Sequence, residues 1–243
     1  MVDVNKIHNL LNYHFTTRGD VSIDPASGQV HVSGNVELTS ELSQLPVSFG
    51  RVDGDFWCQG NKLTSLQGAP VHVGGAFWCH DNKLTSLQGA PRHVHENFWC
   101  HRNKLISLQG APDHVGGVFW CRSNKLTSLQ GAPRHVGAAF LCSHNQLTTL
   151  HGAPDHVGGA LDCSDNPLNS LQGASAHVGG RFVCIYNKQL PLLRLIMYTS
   201  IQLIDAPDAV NTIMQKYAGK GKTHMLNLAL ELKQAGFVGN AAW

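Results

Sequence analysis

One asparagine returns every 21 residues, at positions 61, 82, 103, 124, 145, 166 and 187. A fixed register travels with it. Five positions earlier stands Phe56, Phe77, Phe98, Phe119, Phe140, Leu161 or Phe182, and three positions earlier stands a cysteine, from Cys58 to Cys184. Leucine follows two positions later in every repeat through Leu168, and again five later as Leu66, Leu87, Leu108, Leu129, Leu150 and Leu171. Gly-Ala-Pro and then His-Val complete most repeats. So short a unit cannot offset the entropy of its own ordering with the apolar surface it buries. It must stack on its neighbours, so the chain is expected to be a solenoid whose turns melt with strong coupling.

The ends are expected to cover the stack. Val4, Ile7 and Leu11, with Leu10 and Phe15 beside them, predict a short amphipathic helix over residues 3–15. Val21 and Ile23 alternate, DPASG turns, and Val30 and Val32 alternate again, which predicts a hairpin. The pattern VHVSGN sets Asn35 as the counterpart of the repeat asparagine, making residues 30–55 a degenerate first repeat of 26 residues. After Lys188 the period stops. LPLLRLIMYTSIQLI is an apolar run that is expected to bury against the last repeat, as either helix or strand. Asp205 and Pro207 signal a helix that stops at Gly219, and a second helix runs from about Thr223 to Gly236. The chain thus divides into a cap at 1–29, a solenoid of about eight turns at 30–190 and a helical cap at 191–243. The stretch GKGKT at 219–223 is not a phosphate-binding loop, because Lys216 stands where the first glycine belongs and a helix precedes it.

Lys and Arg total 18 against 16 Asp and Glu, so the balance implies no polyelectrolyte partner for the chain as a whole. No apolar run is long enough to span a membrane, and the first residues lack the features of a signal peptide. The seven cysteines are spaced by 21, with no close pair. This argues against a disulfide framework or a zinc site, and for buried free thiols in a reducing cytoplasm.

The repeat resembles the leucine-rich repeat, L-x-x-L-x-L-x-x-N-x-L, in a short form with Phe and Cys at leucine positions over residues 30–190. The resemblance implies one parallel strand per turn, residues such as 76–80, on a concave face. It also implies an asparagine amide that bonds neighbouring turns, and extended or tight turns rather than regular helices on the convex side. The expected fold is therefore a β-rich solenoid with a helix-and-hairpin cap at one end and an α-helical cap at the other. The repeats GAP…VGG…F.C..N.LTSL and the ending ELKQAGFVGNAAW are similar to leucine-rich-repeat proteins encoded by tailed bacteriophages. That implies a product acting in a bacterial cytoplasm and no specific activity.

Strand alternation sends Phe56 and Cys58 inward and Trp57 outward. The same outward slot holds Trp78, Trp99 and Trp120, then Leu141, Asp162 and Val183. The next outward slot carries Gln59, His80, His101 and Arg122, with Arg102 nearby. An apolar strip with cationic edges has the make-up of a protein-interaction hot spot. Rings ~5 Å apart leave no room for a base between them. The histidine row His72, His93, His114, His135, His156 and His177 repeats with the scaffold, whereas catalysis needs an asymmetric cluster. It is read as solvated and mostly neutral, and acid should weaken the array. Lys62, Lys83, Lys104 and Lys125 are read as a solvated edge.

The expectation is a non-enzymatic module without cofactor or metal. It would bind a host protein through Trp57, Trp78, Trp99, Trp120, His80, His101, Arg102 and Arg122. A nucleic-acid or nucleotide binder using the Arg/Lys/His edge stands second. A structural component that self-associates through the tryptophans stands third.

Overall fold

A computed structural model describes residues 2–241. Met1, Ala242 and Trp243, at the outer ends of the two expected caps, lie outside the described residues. The chain is a solenoid of stacked parallel strands repeating every 21 residues, closed by a helix at one end and helices at the other.

Each turn of the regular array contributes two short strands, one to each of two sheets. The first sheet has ten strands and contains Phe56–Trp57, Phe77–Trp78, Phe98–Trp99, Phe119–Trp120, Phe140–Leu141, Leu161–Asp162 and Arg181–Ile185 in order. The second has nine strands and contains the His-Val pairs from His72–Val73 to His177–Val178. Equivalent residues stand in register from turn to turn, Phe98 beside Phe77 and Phe119, His114 beside His93 and His135. The expectation of one strand per turn was therefore short by one. The His-Val strand is two residues long, so it carries no alternation of its own.

Between the sheets lie columns of identical side chains. Phe56, Cys58, Leu63, Leu66 and Val73 and their successors through Val157 are almost wholly excluded from solvent. The phenylalanine rings stack at 5.2–5.6 Å from Phe56 to Phe140. The asparagines bind the turns as expected. Asn103 Nδ2 donates to the carbonyls of Cys79 and Cys100 at 3.0 and 3.1 Å, and its Oδ1 accepts from Leu84 N–H at 2.9 Å. All seven cysteines are free and buried.

At the start, α1 (Val4–His14) is capped by the Asp3 carboxylate, which accepts from Lys6 N–H. β1 (Phe15–Arg18) follows it, then β2 (Val21–Ile23), β3 (Val30–Val32), β4 (Asn35–Leu38) and β5 (Phe49–Val52). β2 and β3 form the expected antiparallel hairpin on the second sheet. β1 closes the first sheet by pairing antiparallel with β4, a contact the sequence did not signal.

The register of the first turn differs from the expectation. Val32 pairs with Val52 and Val36 with Phe56, so β3 belongs to the His-Val column and β4 to the Phe-Trp column. Asn35 is therefore not the counterpart of Asn61. Its Oδ1 instead accepts from Asp55 N–H at 2.9 Å. Asp55 and Asn97 make the same bond one turn on, to Ala76 N–H at 2.7 Å and Val118 N–H at 2.8 Å. The register is set by β3 pairing with β5 and β4 with β6, and His31-Val32 with Asn35-Val36 has the same spacing as His93-Val94 with Asn97-Phe98.

At the far end, residues 193–197 form a 3₁₀ turn and Ser200–Ile204 a strand that pairs with Arg181–Ile185 as the last member of the first sheet. The apolar run is thus part helix and part strand. α2 (Asp208–Tyr217) and α3 (Met225–Gln234) complete the cap, with GKGKT in the turn between them. No helix among the described residues is long and apolar enough to cross a membrane.

Candidate functional site

The four tryptophans share the outer face of the first sheet in consecutive turns, in register and half-buried. Their order is set by alternation: Phe and Cys on either side fill the core, and the indole between them has nowhere else to go. The column is not uniform. Trp78 and Trp99 stack at 4.6 Å and 13°, Trp57 tilts against Trp78 at 5.8 Å and 46°, and Trp120 meets Trp99 edge-on at 5.6 Å and 82°. Arg18 of β1 caps the first ring, its Cζ 6.0 Å from the Trp57 centroid, and Glu37 stands beside Trp57 in the sheet. Beyond Trp120 the slot continues as Leu141, Asp162 and Val183.

The second outward column joins the first. His80 and His101 stack at 4.4 Å and 11°, and His101 stacks on Trp120 at 4.2 Å. The expected residues Trp57, Trp78, Trp99, Trp120, His80, His101 and Arg122 are therefore brought onto one face. Arg102 takes a neighbouring slot at the bend after the strand, which Asp81, Arg102, Ser123, His144 and Asp165 all occupy with left-handed backbone, φ between 51° and 55°. This turn slot holds neighbours of the candidate face that the sequence did not signal. Asp81 lies one period before Arg102 and reaches both it, at 3.6 Å, and His80, whose Nδ1 is 2.8 Å from its Oδ2. His144 and Asp165 make a similar pair at 2.9 Å across two turns. Lys62 pairs with Glu41 at 2.9 Å at the solvated edge.

Burial pushes the His101 imidazole down to about 4, helped by the positive charge at His80, Arg102 and Arg122 and opposed by Asp81. Burial acts to raise the Asp81 carboxyl, but the His80 hydrogen bond and the charges of His80, Arg102 and His101 outweigh it and hold it below its ordinary value. The face therefore carries a neutral stacked imidazole beside an ionised carboxylate at neutral pH.

Six polar atoms here are shut off from solvent and lack a hydrogen-bond partner: the indole N–H of all four tryptophans, Gln59 Oε1 and His101 Nδ1. Such groups cost free energy in the unbound protein, ~1–3 kcal/mol each. His80, Asp81 and His101 also present one ligand atom each, all within 4.8 Å of one another.

The remaining rows are scaffold. Neighbouring imidazoles from His114 to His177 stack at 4.4–4.9 Å on the second sheet. Burial raises the thiols of Cys58 through Cys163 well above their ordinary range, which makes them poor nucleophiles and poor metal ligands. The C-terminal cap cannot blanket the indoles by extending the sheet beside them. Its strand is the last in the sheet, separated from Phe119–Trp120 by three intervening strands.

Comparison of the chain with protein-family models and with curated proteins finds no match to either.

Proposed function

We propose that this solenoid is a non-enzymatic protein-binding module that docks its partner on the tryptophan column. The observation that supports this is the concentration of four half-buried indoles with unpartnered N–H groups on one face, edged by Arg18, Arg102, Arg122 and two histidines. Aromatic and arginine side chains in a partly desolvated patch are the groups that dominate protein interfaces. Unpartnered donors give that surface something to gain from a partner's carbonyl oxygens once the rings turn. The resemblance to bacteriophage leucine-rich-repeat proteins implies a product acting in a bacterial cytoplasm, so the partner proposed is a host cytoplasmic protein; if that protein is a defence factor, docking on the column would inhibit it.

The test begins with capture from bacterial lysate by the wild type and by the Trp78→Ala/Trp99→Ala double variant. Direct titration follows, with the captured protein in purified form. Loss of a hot-spot aromatic costs ~2 kcal/mol or more, so the double variant should bind at least ~30-fold more weakly. Equal affinity for both proteins would remove the column from the account.

The arginines favour one second reading, a nucleic-acid binder. Ring centroids 4.6–5.8 Å apart leave no slot for a base, so such binding would run through phosphates. It would then weaken steeply with salt and survive the double tryptophan substitution. Concentration-dependent self-association lost on Trp99→Ala would instead indicate a structural, self-assembling component.

A further inference from the structure

We propose that His80, Asp81 and His101 form a binding site for one borderline divalent transition-metal ion, of the class of Zn²⁺, Ni²⁺ or Cu²⁺. The site stands on this cluster alone and does not depend on what docks on the tryptophans.

Three observations carry it. The two imidazoles and the carboxylate come from adjacent turns and place one ligand atom each within 4.8 Å of the others. Around a tetrahedral ion with ~2.0–2.1 Å bonds, such atoms lie about 3.3 Å apart. Closing the difference calls for rotation of the Asp81 side chain, 39% exposed, with a smaller shift of the His80 ring, 17% exposed. Second, His101 Nδ1 is closed to solvent and has no partner within the protein. Third, Asp81 already holds the His80 ring, Nδ1 to Oδ2 at 2.8 Å. Two of the three ligands are therefore already side by side before any ion binds. Two nitrogens and one oxygen select borderline ions over the hard ions Mg²⁺ and Ca²⁺.

The same cluster does not recur. The histidine row on the second sheet stacks imidazoles but brings no carboxylate to them, and the His144–Asp165 pair has Arg122 as its neighbour, 3.3 Å from the imidazole. Among the described residues, only His80, Asp81 and His101 assemble a three-ligand set. Arg102 is the local opponent. Its guanidinium lies 3.6 Å from Asp81, in an exposed pair that is cheap to break. A bound cation must displace it. The affinity of this site should therefore rise when Arg102 is removed, a response that a surface histidine binding metal by chance would not show.

The tryptophans provide the readout. His101 lies 4.2 Å from Trp120 and 6.3 Å from Trp99, and His80 lies 6.0 Å from Trp99, so Cu²⁺ bound here quenches the indoles at close range. The experiment is a Cu²⁺ titration of the full chain carrying Trp243→Phe, so that only the four column indoles emit. Zn²⁺ serves as the competitor, and circular dichroism confirms the fold of each variant. Asp81→Asn is the chief variant, because asparagine tolerates the left-handed backbone at this position. The expected result is saturable quenching at one equivalent, reversed by Zn²⁺. Asp81→Asn and His101→Asn should weaken it about 10–100-fold. Arg102→Ala should tighten it several-fold, and His156→Asn should leave it unchanged. Equal quenching in wild type and Asp81→Asn would overturn the proposal. So would weaker binding in Arg102→Ala, or loss of quenching in His156→Asn.

Discussion

Asn103 joins two turns with one amide. Its Nδ2 donates to the Cys79 and Cys100 carbonyls and, at 3.4 Å, to that of His101, and its Oδ1 accepts from Leu84 N–H, in a position only 9% exposed. Alanine there leaves the buried Leu84 N–H without a partner, while the Cys79 and Cys100 carbonyls still accept from Asn82 and Asn124. One buried donor left unsatisfied should cost ~1–3 kcal/mol, read as a fall in urea midpoint. This role was legible in the sequence, because an amide that both donates and accepts, repeated every turn, has few other uses. The role of Asp81 was not legible. Its slot holds Gly60, Arg102, Ser123, His144 and Asp165 in other turns, and only coordinates show that it faces His80.

The histidine row carries a pH prediction at the same scale. Burial, and then the neighbouring imidazoles, push His114 and His156 below 6.5. The neighbours are His135, His93 and His95 for His114, and His135 and His177 for His156. A histidine depressed in the folded state is protonated first in the unfolded chain. Its contribution is thus complete above the unfolded value near 6.5 and is lost as pH falls below it. The urea midpoint should therefore drop between pH 7 and pH 5. A His114→Gln/His156→Gln variant should show a shallower slope in that window.

Elements in this molecule are columns as much as strands, and the column that tolerates least is glycine. Gly110 has φ +90°, and a Cβ on it would meet Gln88 N and the Leu87 carbonyl carbon at 2.6 Å, the backbone of the turn before. Gly60 has φ +66° with nothing within 4 Å of the same added atom. Alanine at Gly60 should cost only the left-handed backbone, ~1–2 kcal/mol. Alanine at Gly110 adds a forced separation of two turns, and should cost at least ~2 kcal/mol more. Paired thermal or urea melts of the two variants separate conformational strain from close approach. Equal losses would show that the turns yield easily.

The inward columns of Phe, Cys, Leu and Val were all legible, because burial demands the same size at every level. The second sheet was not, because a two-residue His-Val strand makes no pattern beyond its own repetition. The first-turn register failed for a related reason. Val30-x-Val32 imitates the Phe-x-Cys spacing, but His31-Val32 with Val36 four positions on is the spacing of His93-Val94 with Phe98, and pairing follows that match.

At the scale of the whole molecule, a stack with neighbour-only contacts is as secure as its ends. The far end is held by Asn240, wholly buried. Its Nδ2 donates to Asn187 O at 2.9 Å and Leu190 O at 2.8 Å, its Oδ1 accepts from Tyr186 O–H at 2.8 Å, and its carbonyl accepts from Leu192 N–H at 3.1 Å. A single residue thus ties the tail to the point where the period breaks. Nothing in the sequence marks it, since its partners lie about fifty positions away and it belongs to no repeat. Asn240→Ala keeps the backbone bond to Leu192 but leaves the Leu190 carbonyl and the half-buried Tyr186 hydroxyl without their partner, a loss of about 2 kcal/mol. Hydrogen exchange should then accelerate at Ser200–Ile204 and in α2 and α3, while Phe98–Trp99 and Phe119–Trp120, several turns away, keep their protection. Once Ser200–Ile204 lifts, Arg181–Ile185 becomes an open sheet edge, and the variant should self-associate as concentration rises. Uniform loss of protection across every turn would show instead that cap and array open as one cooperative unit.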